Sequence, residues 1–279
     1  LEGSLKNIWV PLSGQIAQNR KVETIANNVA NINTPGFKKD EVVFREYLAA
    51  MDKGIEDVDL PNKEWKPEDF YHTYGSQNSQ VKVDGSYTDL SQGQLVPTKN
   101  PMDLALNGKG FFEVLTPNGI RFTRNGSFTI SRDGELVTEN GFKLLSATNQ
   151  VPNTQGGVAS ASPLSRVVKV PSSNFVVSPD GNVYVNNEPK AQISVVEFKD
   201  PHALRKEGNN LFINNKSDNF VGDEVKTAVV QGFVEQSNVN AVGEMSELIK
   251  AHRHFESIQK AMNAYDNISG RAVNDISRF

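Results

Sequence analysis

The chain has 279 residues, 37% of them hydrophobic, and its 29 basic and 33 acidic side chains give a formal net charge of −4. That is apolar material for one large domain or two ordinary ones, and it offers nucleic acid no overall attraction. Cysteine is absent, which removes disulfides, thiolate nucleophiles and cysteine-held metals together, and the longest apolar runs fall far short of the roughly 20 residues that span a bilayer.

The first element lies between about Leu12 and Ile32. Leu12, Ile16, Val22, Ile25, Val29 and Ile32 fall mostly on one stripe, with the 3–4 spacing of an amphipathic helix. Pro11 and Gly14 blur its start. Gln15, Gln18, Asn19, Arg20 and Lys21 interrupt any leader-like apolar run, so export without a cleaved leader, or a cytoplasmic location, is expected. The helix ends in ANNVANINTPGF. Asparagine competes for backbone hydrogen bonds and is a modest helix former, so Asn27, Asn28, Asn31 and Asn33 need another explanation. Asn28 and Asn31 either solvate a frayed end or bond a neighbouring element and fix its register. Thr34-Pro35-Gly36 stops the helix, because the residue before proline avoids the α region and Pro-Gly favours a type II turn.

Residues 38–80 read as charged and irregular. Beyond them come short strands separated by tight turns, clearest in GFFEVLTPNGIRFTRNGSFTISRDGELVTENGFKLLS at 110–146. Asn118-Gly119, Asn125-Gly126, Asp133-Gly134, Asn140-Gly141 and Asp180-Gly181 supply pairs that tolerate the positive φ of hairpin turns. AQISVVEF at 191–198 reads as one strand, and NTQGGVASASP at 153–163 as a loop.

The longest periodic segment runs from about Ala241 to Ile276, with apolar side chains at Met245, Leu248, Phe255, Met262 and Tyr265. Leu248, Phe255, Met262 and Ile276 advance by sevens, broken only at Ser269. Ile249, Ile258, Ile268 and Ala272 form a second flank. The expected fold is therefore α+β: terminal α-helices paired as a coiled-coil-like bundle, and a β-rich, hairpin and barrel-like central body. The expected division is 1–36 with 238–279 as a helical core, 37–80 as a variable connection and 81–237 as a β-rich domain; cutting away 1–36 should leave that domain folded. The N-terminal helix is too short to cover the C-terminal one. Large apolar side chains left in water forfeit roughly 1.5–3 kcal/mol each, so other subunits are expected to cover the remainder.

Catalytic chemistry finds little support. His252 and His254 stand two apart on a helix, not at the i, i+4 spacing of metal ligands. Glu56, Asp57 and Asp59 lie in a charged loop with nothing to fix a catalytic separation. NGKGFF at 107–112 lacks the spacing and the following helix of a phosphate loop and reads as a turn entering a strand. No catalytic site, metal or cofactor is expected.

Four blocks carry a family likeness. ANNVANINTPGFKKD at 26–40 resembles the N-terminal signature of the flagellar rod and hook proteins. NPMDLALNGKGFFEV at 100–114 and RFTRNGSFTISRDGELVTENGF at 121–142 resemble their central strand and hairpin motifs. VVQGFVEQSNVNAVGEMSELIKAHRHFESIQKAM at 229–262 resembles their C-terminal segment. The blocks stand in the family's order and span nearly the whole chain. The resemblance implies a structural subunit of the basal-body rod, with RHFE at 253–256 and the chain length favouring the proximal type over the distal. It further implies terminal helices forming an inner tube with the β body outside, helical polymerisation that carries torque from motor to hook, and residence in the periplasmic space. The implied partners are other rod proteins, copies of itself and the flagellar export apparatus, with no nucleic acid and no membrane insertion. Ile25, Val29 and Ile32 are expected to meet Leu248, Phe255 and Met262 in the seam, with Met245 beside it. Asn28, Asn31, Thr34, Pro35 and Gly36 would set register and turn the chain outward, Asn238 and Asn240 would do so on return, and Asn240 would cap the long helix. Helices disordered before docking would delay polymerisation. A competing reading is a secreted β-rich module binding polysaccharide or a surface, oligomerised by its helical ends; a peptidoglycan-cleaving enzyme is a more distant one.

Overall fold

The computed structural model describes residues 9–49, 78–147, 163–170, 175–221 and 226–276. Most of the 153–163 loop, the Glu56–Asp59 cluster and His72 lie outside them. The chain divides into two compact units. A helical unit draws on Leu1–Asn27, Asp40–Tyr87 and Val242–Phe279, and a body on Asn28–Lys39 and Thr88–Ala241.

The N-terminal helix spans Trp9–Ala30 and the C-terminal helix Ala241–Ile276, 22 and 36 residues, or roughly 33 and 54 Å at 1.5 Å per residue. The first runs unbroken through Pro11 because proline in the first helical turn removes an N–H that has no partner there anyway. The stretch 38–80 is expected from the sequence to be irregular; its centre, 50–77, lies outside the described residues, but at its two ends β1 (Asp40–Ala49) pairs with β2 (Asn78–Thr88) as a ribbon. Its charges are cross-strand partners rather than loop signals. Arg45 meets Asp84 at 2.9 Å, and the Tyr87 hydroxyl donates to the Glu41 carboxylate. A two-stranded ribbon is marginal alone, and the Val81 N–H donates to Ser13 Oγ of the N-terminal helix at 3.3 Å.

The body begins with β3 (Leu95–Pro97), β4 (Leu104–Asn107), β5 (Phe111–Thr116), β6 (Gly119–Thr123), β7 (Phe128–Ile130), β8 (Leu136–Thr138) and β9 (Lys143–Leu144). After residues 148–162 come β10 (Phe175–Val177), β11 (Asn182–Val185), β12 (Glu188–Gln192), β13 (Val195–Val196), β14 (Leu204–Gly208), β15 (Leu211–Asn214), β16 (Ala228–Gln231) and β17 (Phe233–Glu235). One sheet runs in the order β14-β15-β6-β5-β9-β8-β7, with β13 also on β5. A second is β10-β11-β12, and two pairs, β16-β4 and β17-β3, complete the body.

The expected barrel-like body is not a closed barrel. Closure needs the end strands to pair, whereas β14 and β7 end the large sheet; β14 carries Arg205, Lys206 and Glu207 and β7 has three residues, both features of edges that stay open. The single strand expected over 191–198 is also broken. Ile193 and Ser194 turn their N–H groups to Gly181 O and Leu145 O, Ile193 makes only an isolated bridge with Ser146, and a ladder on β5 starts at Val195 opposite Phe112. The glycines at 119, 134, 141 and 181 take positive φ as turn residues, but Gly126 does not. It is a point of close approach: a Cβ there would lie 1.5 Å from Leu104 O.

Alternation along β5 divides the core. Phe112 and Val114 enter a large cluster with Leu104, Phe128, Leu144 and Val229. Phe111, on the other face, joins Phe122, Phe198 and Phe212, with edge-to-face ring contacts at 4.9–5.5 Å. Phe112 is fully buried and packs edge-on to Phe128 at 5.4 Å. Phe112→Ala should therefore destabilise the body by about 3–5 kcal/mol, read as a lowered urea midpoint. Val176→Ala, at a position 64% exposed, should change it by no more than about 0.5 kcal/mol. Equal effects would contradict this core assignment.

Candidate functional site

Two short runs tie the body's strands to the helices: Asn31–Lys39 on the way out and Glu235–Asn240 on the way back. The N-terminal helix stops at Ala30, and the asparagines then supply turn bonds. The Asn31 N–H donates to Asn28 O at 3.1 Å, the Thr34 N–H to Asn31 O at 3.2 Å, and the Thr34 hydroxyl to Asn31 Oδ1 at 3.2 Å. The Phe37 N–H donates to Thr34 O at 3.2 Å, closing the Thr-Pro-Gly-Phe turn. Gly36 takes φ +68°, and a Cβ on it would lie 2.3 Å from the Asn125 N. Only glycine admits both the conformation and the approach.

The outgoing and returning runs are bonded directly to each other. The Gly36 N–H donates to Glu235 O at 2.7 Å, and the Lys39 N–H to Asn238 Oδ1 at 2.8 Å. Asn238 Nδ2 donates to Asp89 O at 2.9 Å and reaches Ser91 Oγ at 3.1 Å. Asn210 Nδ2 donates to Pro35 O at 3.2 Å, and Lys206 Nζ donates to Lys38 O at 2.8 Å while lying 3.9 Å over the Phe37 ring.

Beneath these bonds lies a buried charge cluster. The Glu235 and Lys38 side chains are 0% exposed and meet at 2.5 Å. Glu235 Oε1 also accepts the Gly93 N–H at 2.9 Å, and Oε2 accepts Arg124 Nη1 at 3.2 Å. Lys38 Nζ donates further to Ser91 O at 2.6 Å, and Arg124 Nη2 to Gly108 O at 2.6 Å. The guanidinium carbon stands 5.0 Å from the Phe111 ring centre, a cation–π contact. Burial lowers the Lys38 ammonium below its ordinary pKa, and Glu235 offsets this in part. Burial acts in the same direction on Arg124. One carboxylate thus holds two desolvated cations, an arrangement that fixes three backbone segments.

In the helical unit, contacts among the described residues link the helices. Lys21 Nζ meets Glu247 at 3.4 Å, and a Cβ on Gly14 would touch Ile258 Cδ1 at 3.8 Å. Ala17 and Ile25 are buried on the first helix, Glu244 and Ala251 on the second. Leu248, Phe255, Ile258 and Met262 are half-buried, and with Glu244 and Ala251 they advance by alternating fours and threes, the spacing of a coiled-coil seam. A second set faces water: Met245 is 50% exposed, Ile249 54%, Tyr265 50% and Ile268 66%.

Three family models match this chain in order. Residues 10–38 match the flagella basal body rod protein model, 105–185 the flagellar hook protein FlgE/F/G D1 domain, and 230–275 the flagellar basal body rod FlgEFG protein C-terminal model. A protein named flagellar basal-body rod protein FlgG from Borreliella burgdorferi is 30% identical over 97% of this chain and 98% of its own length. One named FlgF from Caulobacter vibrioides is 31% identical over 98% of each chain, and the flagellar hook-basal body complex protein FlhO of Bacillus subtilis is 30% identical over 99% of this chain and 100% of its own. The chain belongs to the flagellar basal-body rod protein family. Relatives named FlgG and FlgF match it at nearly equal identity.

The rod-family signatures now have geometry. Gly36 and Lys38 belong to the N-terminal signature, Arg124 and Gly126 to the central hairpin block, and Glu235 and Asn238 to the C-terminal block, so the charge cluster draws one charged residue from each of the three. Sequence reading missed Lys38, Arg124 and Glu235 altogether. The available signal was a charged residue inside an apolar run, as in GFVEQ at 232–236. Of the residues read as interface, Ile25, Asn28 and Gly36 are buried; Val29, Asn31, Ile32, Thr34, Pro35, Asn238, Leu248, Phe255 and Met262 are half-buried; Met245 and Asn240 are exposed. Asn240 stands immediately before the C-terminal helix. Gly36 and Asn238 come together in the turn network; His252 and His254 are both exposed.

Residues 28–39 group with the body, so a chain truncated before Asn28 should keep the body's stability and one truncated after Gly36 should lose the Gly36–Glu235 bond and unfold at lower urea. Glu235→Ala leaves two buried cations without a counter-charge and should cost about 3–5 kcal/mol. Lys38→Met keeps the Glu235–Arg124 pair and should cost far less; the reverse order in urea unfolding would contradict the cluster's hierarchy. Because the folded pKa of Lys38 lies below the ordinary 10.5, the unfolded chain binds more protons in the window just under that value. Stability there should rise with pH in the parent relative to Lys38→Met.

Proposed function

We propose that this chain is a structural subunit of the flagellar basal-body rod, polymerising helically through its terminal helices and carrying torque from motor to hook. What carries the reading is a set of large apolar side chains left half or more exposed on a 36-residue helix, Met245 and Ile249 on one flank of the half-buried stripe and Tyr265 and Ile268 on the other. Membership of the rod family gives both flanks a destination. Head-to-tail contacts whose rotation does not close build a helical assembly.

In this reading the two helices pair side by side in coiled-coil fashion, as the Lys21–Glu247 and Gly14–Ile258 contacts support. Residues 1–36 and 238–279 make the inner core, with 28–36 as the crossing bonded into the body, 37–80 the connecting segment and 81–237 the outer β domain. Ile25, Val29, Ile32, Leu248, Phe255 and Met262 form the seam, Met245 lies at the neighbour-facing side, and Asn28, Asn31, Thr34, Pro35, Gly36, Asn238 and Asn240 set register at the crossings. The partners are other proximal and distal rod subunits, copies of this chain and the flagellar export apparatus, and the assembled protein lies in the periplasmic space. The role is structural rather than enzymatic.

Ile249→Asp and Ile268→Asp test it in cells. Each variant should fold with stability within about 0.5 kcal/mol of the parent, as exposed positions do, yet fail to enter the rod and abolish motility. Normal rods built from both variants would contradict the role given to these two flanks.

A further inference from the structure

Residues 227–238 bond to widely separated parts of the body. The Thr227 hydroxyl accepts the Gly110 N–H at 2.8 Å, just ahead of β5, and donates to Glu197 Oε1 at 2.6 Å. The Val229 N–H donates to Pro179 O at 2.9 Å. Gln231 donates through its side chain to Phe175 O at 3.0 Å and accepts the Val177 N–H at 2.9 Å. β16 thereby joins β10 to β4, its ladder partner. Further along, the Gly232 N–H donates to Asp103 O at 2.7 Å and the Gln236 N–H to Gln94 O at 2.9 Å. Glu235 holds Lys38 and Arg124, and Asn238 bonds Lys39 and Asp89.

The groups that this segment meets have no second source of partners. Among the described residues, β4 pairs as a strand only with β16, and β3 only with β17. Leu104 and Leu106 of β4 are fully buried and share one core cluster with Val229. With 227–238 removed, two strands lose their ladders, that cluster opens to water, and two buried cations lose their counter-charge. Unpaired backbone groups and uncompensated charges are each costly to bury. The β5–β6 hairpin closes on its own turn, whereas Leu106 of β4 must wait for Val229.

We propose that residues 227–238 are a closing strap: the body has no stable form without them, so a chain made or delivered from its N-terminus completes the body only when this segment arrives. Domains are synthesised N-terminus first, and the strap leads directly into the C-terminal helix. An incomplete chain therefore cannot present a finished body, because the last strands carry the missing ladders and the missing charge together. The strap concerns the body alone and holds whether or not the helices polymerise.

Native-state hydrogen exchange of the full chain in low urea tests this. A strap laid on an otherwise stable body would open by itself, well below the free energy of global unfolding. The closing strap instead opens only with the body. The Val229 and Gln236 amides, bonded within the strap's contacts, should match the protection of the Leu136 and Leu145 amides, bonded to Val168 O and Glu113 O elsewhere in the body, to within about threefold. Glu235→Gln keeps the side chain's size and removes the counter-charge. It should speed exchange at all four amides by one common factor of about tenfold or more. Val229 and Gln236 exchanging faster than Leu136 and Leu145 by more than that threefold margin in the parent would overturn the proposal, as would an effect of Glu235→Gln confined to the strap. If Glu235→Gln does not fold, the comparison in the parent decides alone.

Discussion

The two crossings between helices and strands are organised around one fully buried carboxylate, Glu235. A desolvated Glu235 is tolerable only if its oxygens are paired, and the groups that pair it, Lys38, Arg124 and the Gly93 N–H, come from three distant stretches of chain. Lys38 is 197 residues away in sequence and Arg124 111. Once these are drawn in, Gly36 must approach the Arg124–Asn125 backbone too closely for any side chain, and Asn238 is in position to bond Lys39. The turn, the return and the central hairpin are thus consequences of one electrostatic requirement. Such a cluster is weak as a source of net stability and strong as a source of uniqueness, because any other arrangement strands a charge.

This has a mechanical meaning for a rod subunit. The chain enters and leaves the body at runs that are hydrogen-bonded to each other, so a force on either helix is met at a joint braced across both. Association is then distributed unevenly. The body guards its β12 and β14 edges with charge and proline, while the C-terminal helix keeps Met245, Ile249, Tyr265 and Ile268 in water. A protein that must assemble in one way has reason to blunt every sticky surface but one.

The helices, the order of the short strands and most turns were legible because periodicity and Asn-Gly pairs are local signals. The Thr34-Pro35-Gly36 turn was read correctly for a local reason, the φ of Gly36, but the close approach to Asn125 that makes glycine obligatory there is tertiary. The β1–β2 ribbon was missed because its charges looked like a loop; they are partners across strands, and Arg45 cannot be known to face Asp84 before the register is. The break at Ile193–Ser194 and the role of Gly126 have the same origin, since both depend on where another backbone passes. The charge cluster was least legible of all. Lys38 has a second lysine beside it in Gly-Phe-Lys-Lys, and nothing local separates the one that is buried from its neighbour.

The account rests on apolar helical faces that are open in one copy and covered among many. Hydroxyl-radical footprinting of the purified chain and of assembled rods reads that difference directly, because methionine and tyrosine report their own exposure. Met245 and Tyr265 should oxidise readily in the free chain and be strongly protected in the rod, while Met102, in the body, should label alike in both. Equal labelling of Met245 and Tyr265 in the two states would show that neighbouring subunits do not cover these faces, and the account would be wrong.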